Sequence, residues 1–370
     1  MAKLEELLVR GLTATPRPLY SGAVGIIQVR GQVEQFATVG HTAAYADTSG
    51  TPISPEFSRP VTEETIFDLA SITKLFVTTT VLTLVEEGVL SLDEPVATWL
   101  PSFGTGERTQ VTLRRLVTHT SGLPALLSLW KDWPDRQSRF DAILNAPLVR
   151  TPGTGFEYSD IGYLTVGLLA ERVTGRTLPE LVRDRVTGPL GMVDTGYLPP
   201  AAKLDRIAAT EYEPDEHRGM VRGEVHDENS WSLGGAVGHA GIFGTAGELV
   251  RLAEMLRCYG ALDGVRVLRE ETVDQMTRDQ LPAGVDPGFR HGLGLRIDDP
   301  SFMGPLAGGG AFGHTGFTGT SLVVDRDREL VVVLLTNRVH PSREQADIGP
   351  LRRDVAAVGA ETTTGAGAGS

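Results

Sequence analysis

The sequence predicts an α+β fold: an antiparallel sheet built from N- and C-terminal segments and flanked by helices, plus a mostly helical lobe from the middle of the chain. Three observations predict it. Strand-like runs gather at the two ends, helical periodicity fills the block between them, and 370 residues suffice for one large two-part domain. In order, MAKLEELLVRGL reads as an amphipathic helix, and AVGIIQVRG (23–31) with QFATVGHTA (35–43) as an antiparallel strand pair. A polar, Pro-containing loop (46–64) leads to DLASITKLFVTTTVLTLVEEG (68–88), a helix apolar on most sides and therefore destined for a core. TLRRLVTHTSGL, DRQSRFDAILNA, SDIGYLTVGLLAERVTG and LPELVRDRV carry apolar residues at three- and four-residue spacing with Gly or Pro stops. A loop-rich stretch (196–238) precedes the helices GELVRLAEMLRCYG and ETVDQMTRD. Strands HGLGLRID, GHTGFTG, TSLVVDRD and ELVVVLLTNR follow, then a closing helix over 345–358. The expected division is 1–75 with 240–358 as the sheet lobe, 76–239 as the helical lobe, and 359–370 as a disordered tail.

Composition narrows the function. A net charge of −13 argues against non-specific nucleic-acid binding and against docking on anionic membranes. No apolar run approaches the roughly 20 residues of a bilayer span. The N-terminus carries Glu5 and Glu6 and lacks a long apolar stretch, so a cytoplasmic location is expected. One cysteine, Cys258, rules out an internal disulfide and a cysteine-rich metal site. No cofactor motif is present: Gly308, Gly310 and Gly313 satisfy G-x-G-x-x-G, but a strand follows where a dinucleotide would need a helix. His226, Asp227, Glu228 and His239 have irregular spacing for a metal site, and none is expected. The expected partner is a small molecule; oligomeric state is not legible.

Three segments carry the chemistry. Ser71 and Lys74 lie one helical turn apart, so their side chains share a face. Either Ser71 caps the helix while Lys74 snorkels outward, or a serine at a helix start stands beside a buried lysine whose surroundings depress its pKa. Ser128 and Lys131 repeat the spacing in SLWKDW, which reads as a surface segment. TPGTGFEYSDIGYLTVG delivers Tyr158, Ser159 and Asp160 to a helix start, with Ser159 or Asp160 as the cap. GGGAFGHTGFTGTSLVVD places His314, Thr315 and Gly316 on a glycine-rich strand that a ligand can approach closely.

In this order, Ser71-Ile-Thr-Lys74, Tyr158-Ser-Asp160 and His314-Thr-Gly316 resemble the Ser-x-x-Lys, Tyr-x-Asn and Lys/His-Thr-Gly elements of the serine β-lactamase-like superfamily. That superfamily includes class C β-lactamases, penicillin-binding-protein-like D-Ala-D-Ala carboxypeptidases and related esterases. The likeness runs over about residues 20–340, with HTSGLP (119–124), GHAGIFGTAGEL (238–249) and TNRVHP (336–341) in support. It implies a β-lactamase/transpeptidase-like fold and catalysis by Ser71, Lys74 and Tyr158. It also implies substrate contacts at Asp160, His314, Thr315, Gly316 and Phe317, with the Ser71 and Phe317 N–H groups facing the oxyanion. Whether Lys74 or Tyr158 is the base stays open. Asp160 stands where the family has asparagine and can only accept hydrogen bonds when ionised; near Lys74 it favours the charged amine and shifts the work to Tyr158. His314, mostly neutral near pH 7, is a weak anchor for a substrate carboxylate. Both departures favour small carboxylic esters over a D-Ala-D-Ala carboxypeptidase or β-lactamase substrate. No G-x-S-x-G elbow supports another serine hydrolase fold. A non-catalytic binding or regulatory protein on the same scaffold is the alternative outside the enzymes.

Overall fold

A computed structural model describes residues 2–214, 218–344 and 347–365. Its sheet has seven strands in the order Arg290–His291, Arg296–Ile297, Phe312–Thr315, Ser321–Asp325, Leu330–Thr336, Gly22–Val29 and Gln32–Gly40. Every neighbouring pair is antiparallel, and the two chain ends meet where Gly22–Val29 pairs with Leu330–Thr336.

These central strands are apolar without alternation because both faces are covered. Ala23, Ile27, Leu330, Val332 and Leu334 pack with Leu4 and Leu8 of the Lys3–Leu12 helix and with Leu351 and Val355 of the Gly349–Gly365 helix. The intervening Val24, Ile26, Val331, Val333 and Leu335 face the opposite core, which holds Leu249, Leu252 and Leu256 of the Ala246–Arg257 helix. The same core continues through Leu75 and Phe76 to Leu164 and Leu169 of the Asp160–Thr174 helix.

The Thr73–Glu86 helix is buried from Thr73 to Leu84. Its threonines tolerate burial because their hydroxyls return to the helix backbone: Thr79 to the Leu75 carbonyl and Thr80 to that of Phe76, both at 2.8 Å.

The structure revises several boundaries. HGLGLRID is two short strands, because Gly294 (φ +75°) turns the chain between them. The loop-rich stretch 196–238 contains the paired strands Tyr212–Glu213 and Gly219–Met220 and the helix Glu228–Ser232. A lobe boundary at residue 75 would cut the Thr73–Glu86 helix. The closing helix runs to Gly365, so residues 359–365 of the expected tail are helical and 366–370 lie outside the described residues. No helix among the described residues is long and apolar enough to cross a membrane.

Candidate active site

Ser71 sits in a short 3-10 turn, Ala70–Ile72, that feeds the buried helix. Ala70 before it has φ +47°, a left-handed conformation that costs an L-residue roughly 1–2 kcal/mol. Asp68 holds the turn: its Oδ1 accepts from the Ala70 N–H at 2.8 Å and its Oδ2 from the His226 N–H at 2.7 Å. Thr318 and Thr320 donate to the Asp68 and Leu69 carbonyls at 2.7 and 3.1 Å, stitching the end of the Phe312–Thr315 strand against the same turn. Gly316 is required at this seam, since a Cβ there would stand 2.5 Å from the Leu69 carbonyl oxygen. Behind it, Arg352 of the C-terminal helix donates to the Gly316 and Thr320 carbonyls at 2.7 and 2.9 Å; burial lowers its pKa to about 9. The seam brings Phe317 to the mouth of the cavity that Ser71 faces. The N–H groups of Ser71 and Phe317 donate to no acceptor among the described residues.

Lys74 is fully buried. Its Nζ donates to Ser71 Oγ at 3.0 Å and to the His239 carbonyl at 3.1 Å, and lies 2.8 Å from Asp160 Oδ1. Ser71 makes no capping hydrogen bond with its side chain, so neither the capping nor the snorkelling alternative describes the pair. Of the two opposed influences expected on Lys74, apolar burial and the Asp160 carboxylate, the second prevails. Burial pulls it down, but the Asp160 carboxylate, aided by Tyr158, pushes harder and holds Lys74 above its ordinary value.

Tyr158 is positioned by the segment His119–Pro124. The Glu157 N–H donates to the His119 carbonyl at 2.8 Å and the Ser159 N–H to His119 Nδ1 at 2.9 Å. Ser159, the helix cap, donates to the Pro124 carbonyl at 2.6 Å and accepts from the Gly162 N–H at 2.9 Å. The Tyr158 ring then lies 4.4 Å from the His119 ring, with Lys74 Nζ 4.9 Å from its centroid. HTSGLP, expected only as a family-like segment, is the bracket for Tyr158.

Ser71, Tyr158, Asp160 and Phe317 line one cavity of about 420 Å³. Its walls also carry Trp130 and Ser128, so SLWKDW is a wall of the site and not the bland surface segment expected. The Asn229 side chain ties that loop down, accepting from the Leu129 N–H at 2.8 Å and donating to the Leu127 carbonyl at 2.7 Å. A larger cavity, about 510 Å³ between Pro179 and Lys203, has no serine in its lining.

His314 departs from its expected place. It is 1 % exposed, stands behind Tyr158 with ring centroids 6.1 Å apart, and is not among the residues lining the cavity, so it cannot contact a substrate there as placed. Burial, with Arg296 and Lys74 nearby, holds it well below the ordinary histidine value. Thr315 ends the strand and Gly316 serves the seam; neither lines the cavity.

The residues weighed for a metal separate into ion pairs. His239 Nε2 and Asp227 Oδ1 are 2.8 Å apart, and both residues line the Ser71 cavity. Burial opposes both charges, yet each sustains the other: His239 is raised by Asp227 and Asp160, and Asp227 is held well below the carboxylate range. His226 meets Glu211 at 2.8 Å, and Glu228 meets Arg343 at 2.6 Å. Glu211, Glu213 and His226 do converge, but Arg343 (2.6 Å to Glu211) and Arg218 (2.8 Å to Glu213) already supply the cations that would balance them. The His239–Asp227 pair was legible only as two residues of suitable type, because their twelve-position offset matches no regular helix or strand spacing.

The chain is similar to known proteins over most of its length. The family model described as Beta-lactamase matches residues 19–357. The chain is 30% identical to the N-acetylmuramyl-L-alanine amidase of Bacillus subtilis, over 92% of this chain and 81% of that one. It is 33% identical to Esterase EstB of Burkholderia gladioli, over 77% and 80% of the respective chains. A solved penicillin-binding protein homolog from Caulobacter crescentus superposes with a TM-score of 0.71 at 22% identity, covering 97% of this chain and 96% of that one, which bears on the fold alone.

Proposed function

The chain belongs to the β-lactamase family of hydrolases, and from that premise we propose that it is a serine hydrolase acting through an acyl-enzyme on small carboxylic esters. The observation that carries the reading is the Lys74 ammonium donating to Ser71 Oγ at the floor of a cavity. In this reading Ser71 Oγ bonds to the substrate carbonyl carbon, the C=O π pair moves onto the carbonyl oxygen, and the serine proton passes to Tyr158 in its phenolate form. Lys74, kept charged by Asp160, holds the serine oxygen in place and does not act as the base. The carbonyl oxygen, now negative, points at the N–H groups of Ser71 and Phe317; losing one such donor typically costs about 3 kcal/mol of barrier. Tyr158 returns the proton to the departing alcohol. Water then repeats the sequence on the acyl-enzyme and releases the acid.

A second reading is hydrolysis of an amide, as by a D-Ala-D-Ala carboxypeptidase or β-lactamase. It is favoured by the amidase relative, which aligns over nearly the whole chain, and by a charged Lys74 beside Ser71 that suits protonation of an amine leaving group. Against it stands Asp160, whose carboxylate accepts hydrogen bonds and offers none to an amide carbonyl. The test is a panel of p-nitrophenyl acetate and butyrate, nitrocefin and a D-Ala-D-Ala peptide, run on wild type and Ser71→Ala. Ester turnover that vanishes in the variant is expected; amide specificity constants equal to or above those for esters overturn the ranking. A purely binding role predicts no covalent labelling of Ser71 by a fluorophosphonate.

A further inference from the structure

Two cations lie close to the Tyr158 ring. Lys74 Nζ is 4.9 Å from its ring centroid, and the Arg296 guanidinium carbon is 5.5 Å from the same centroid. Arg296 is held firmly. It lies 5.0 Å from the Phe289 ring centroid, and its Nη1 donates at 2.8 Å to Asp299 Oδ2. Asp299 is itself buried, with Oδ1 committed to the Ser301 N–H at 2.9 Å. Arg296 comes from the strand beside the His-Thr-Gly strand, opposite Gly313 in the ladder.

The other polar groups behind Tyr158 carry no charge. His291 Nδ1 donates to the Gly292 carbonyl at 2.7 Å and His314 Nδ1 to the Thr315 carbonyl at 2.8 Å, while His119 Nδ1 accepts from the Ser159 N–H. These partners assign the tautomers of three neutral rings. Burial keeps His119 and His314 well below the ordinary histidine value and His291 at about 3. Apart from Lys74, Arg296 is therefore the fixed positive charge among the described residues around the Tyr158 ring. It is not among the residues lining the Ser71 cavity, so it faces the tyrosine and not the substrate.

We propose that Arg296 is a positioning residue for Tyr158: lying over the ring, it fixes its orientation and stabilises the negative charge the phenol oxygen bears whenever Tyr158 is ready to take the Ser71 proton. This rests on the reading of Tyr158 as the base. The His-Thr-Gly strand offers no cation of its own, and the adjacent strand supplies one.

The experiment measures kcat and KM for p-nitrophenyl acetate and for a p-nitrophenyl ester bearing a free carboxylate. The variants are Arg296→Gln combined with Asp299→Asn, which leaves no buried carboxylate unpaired; Arg296→Lys, which keeps the charge and loses the planar guanidinium; and Tyr158→Phe. Loss of the Arg296 charge about 5–6 Å from the ring, partly offset by the Asp299 charge removed with it, predicts a fall in kcat/KM of roughly tenfold, alike on both esters and carried by kcat, with Arg296→Lys recovering at least half of the loss on a logarithmic scale. Unchanged kcat/KM in the neutral double variant overturns the proposal. So does a loss confined to KM of the carboxylate-bearing ester, which would make Arg296 a substrate anchor. Should the double variant fail to fold, Arg296→Lys decides alone: a loss of about tenfold or more on p-nitrophenyl acetate contradicts a role carried by charge. Full activity in Tyr158→Phe removes the underlying reading and is distinguishable from all of these.

Discussion

Two groups of buried bases around Tyr158 are equally removed from water and differ in charge state. In one, Lys74 is fully buried yet stays charged, and His239 is raised by Asp227 and Asp160. In the other, His119, His291 and His314 are as deeply buried and stay neutral. Burial penalises the charged form in both groups, so burial is not the variable. The carboxylates are. Asp160 stands 2.8 Å from Lys74 and Asp227 2.8 Å from His239, whereas the other three histidines hydrogen-bond backbone groups and have cations as neighbours, Arg296 for all three and Lys74 also for His119 and His314. Around Tyr158, a buried lysine or histidine is charged where a carboxylate meets it, and a buried histidine is neutral where only backbone groups do.

The largest expected effect comes from altering Tyr158 itself. Tyr158→Phe keeps the ring and its packing and removes the proton acceptor; ester kcat should fall by roughly 10²–10⁴-fold with the melting temperature nearly unchanged. A drop below tenfold would return the base role to Lys74.

The comparison also predicts opposite responses of stability to pH. For the three neutral histidines the folded pKa lies below the unfolded value of about 6.5, so the unfolded chain binds the extra proton. Their stabilisation is complete above pH 6.5 and is lost as pH falls below it, by up to about 1.4 kcal/mol per histidine per pH unit until the folded value is reached. His314→Gln should flatten the wild-type decline in urea-unfolding free energy between pH 6.5 and 5.5; an equal slope would mean that His314 is already charged when folded. The His239–Asp227 pair runs the other way. Raised His239 contributes fully below pH 6.5 and loses its contribution as pH rises through its folded value, while lowered Asp227 contributes above about pH 4 and loses it only in stronger acid. The gap in melting temperature between wild type and Asp227→Asn should therefore be widest near pH 5–6 and narrow on going to pH 9. A gap that stays constant would show that only the capping of the Glu228–Ser232 helix was lost.

The smallest effect concerns Asp160. Asp160→Asn frees Lys74 from its carboxylate and restores a donor beside the cavity, so turnover of amide relative to ester should rise several-fold. An unchanged ratio would mean that Asp160 acts only through Lys74.

Much of this was legible in the chain, for definite reasons. Ser71 and Lys74 are one turn apart in a helix with no polar face, so their meeting follows from local geometry. The pairing of the chain ends followed from apolar runs at both termini, and the approach of Tyr158 followed from resemblance. That Asp160 would outweigh burial at Lys74 was not legible, because it depends on how close a residue 86 positions away comes. Nor were the His119, His291 and Arg296 contacts, which come from three separate segments and carry no spacing signal. His314 illustrates the limit: its motif was recognised, but the side of the strand it faces was settled by the ladder register with Leu322 and by packing behind Tyr158.

The account stands on the Ser71 oxygen becoming acylated in its cavity, and the direct measurement is covalent trapping. The protein is mixed with p-nitrophenyl butyrate, quenched in acid within its first turnovers, digested, and the modified peptide sequenced by mass spectrometry. A butyryl adduct on Ser71, absent from Ser71→Ala, is the predicted result; an adduct on another residue such as Ser128, or turnover persisting in Ser71→Ala, would contradict it.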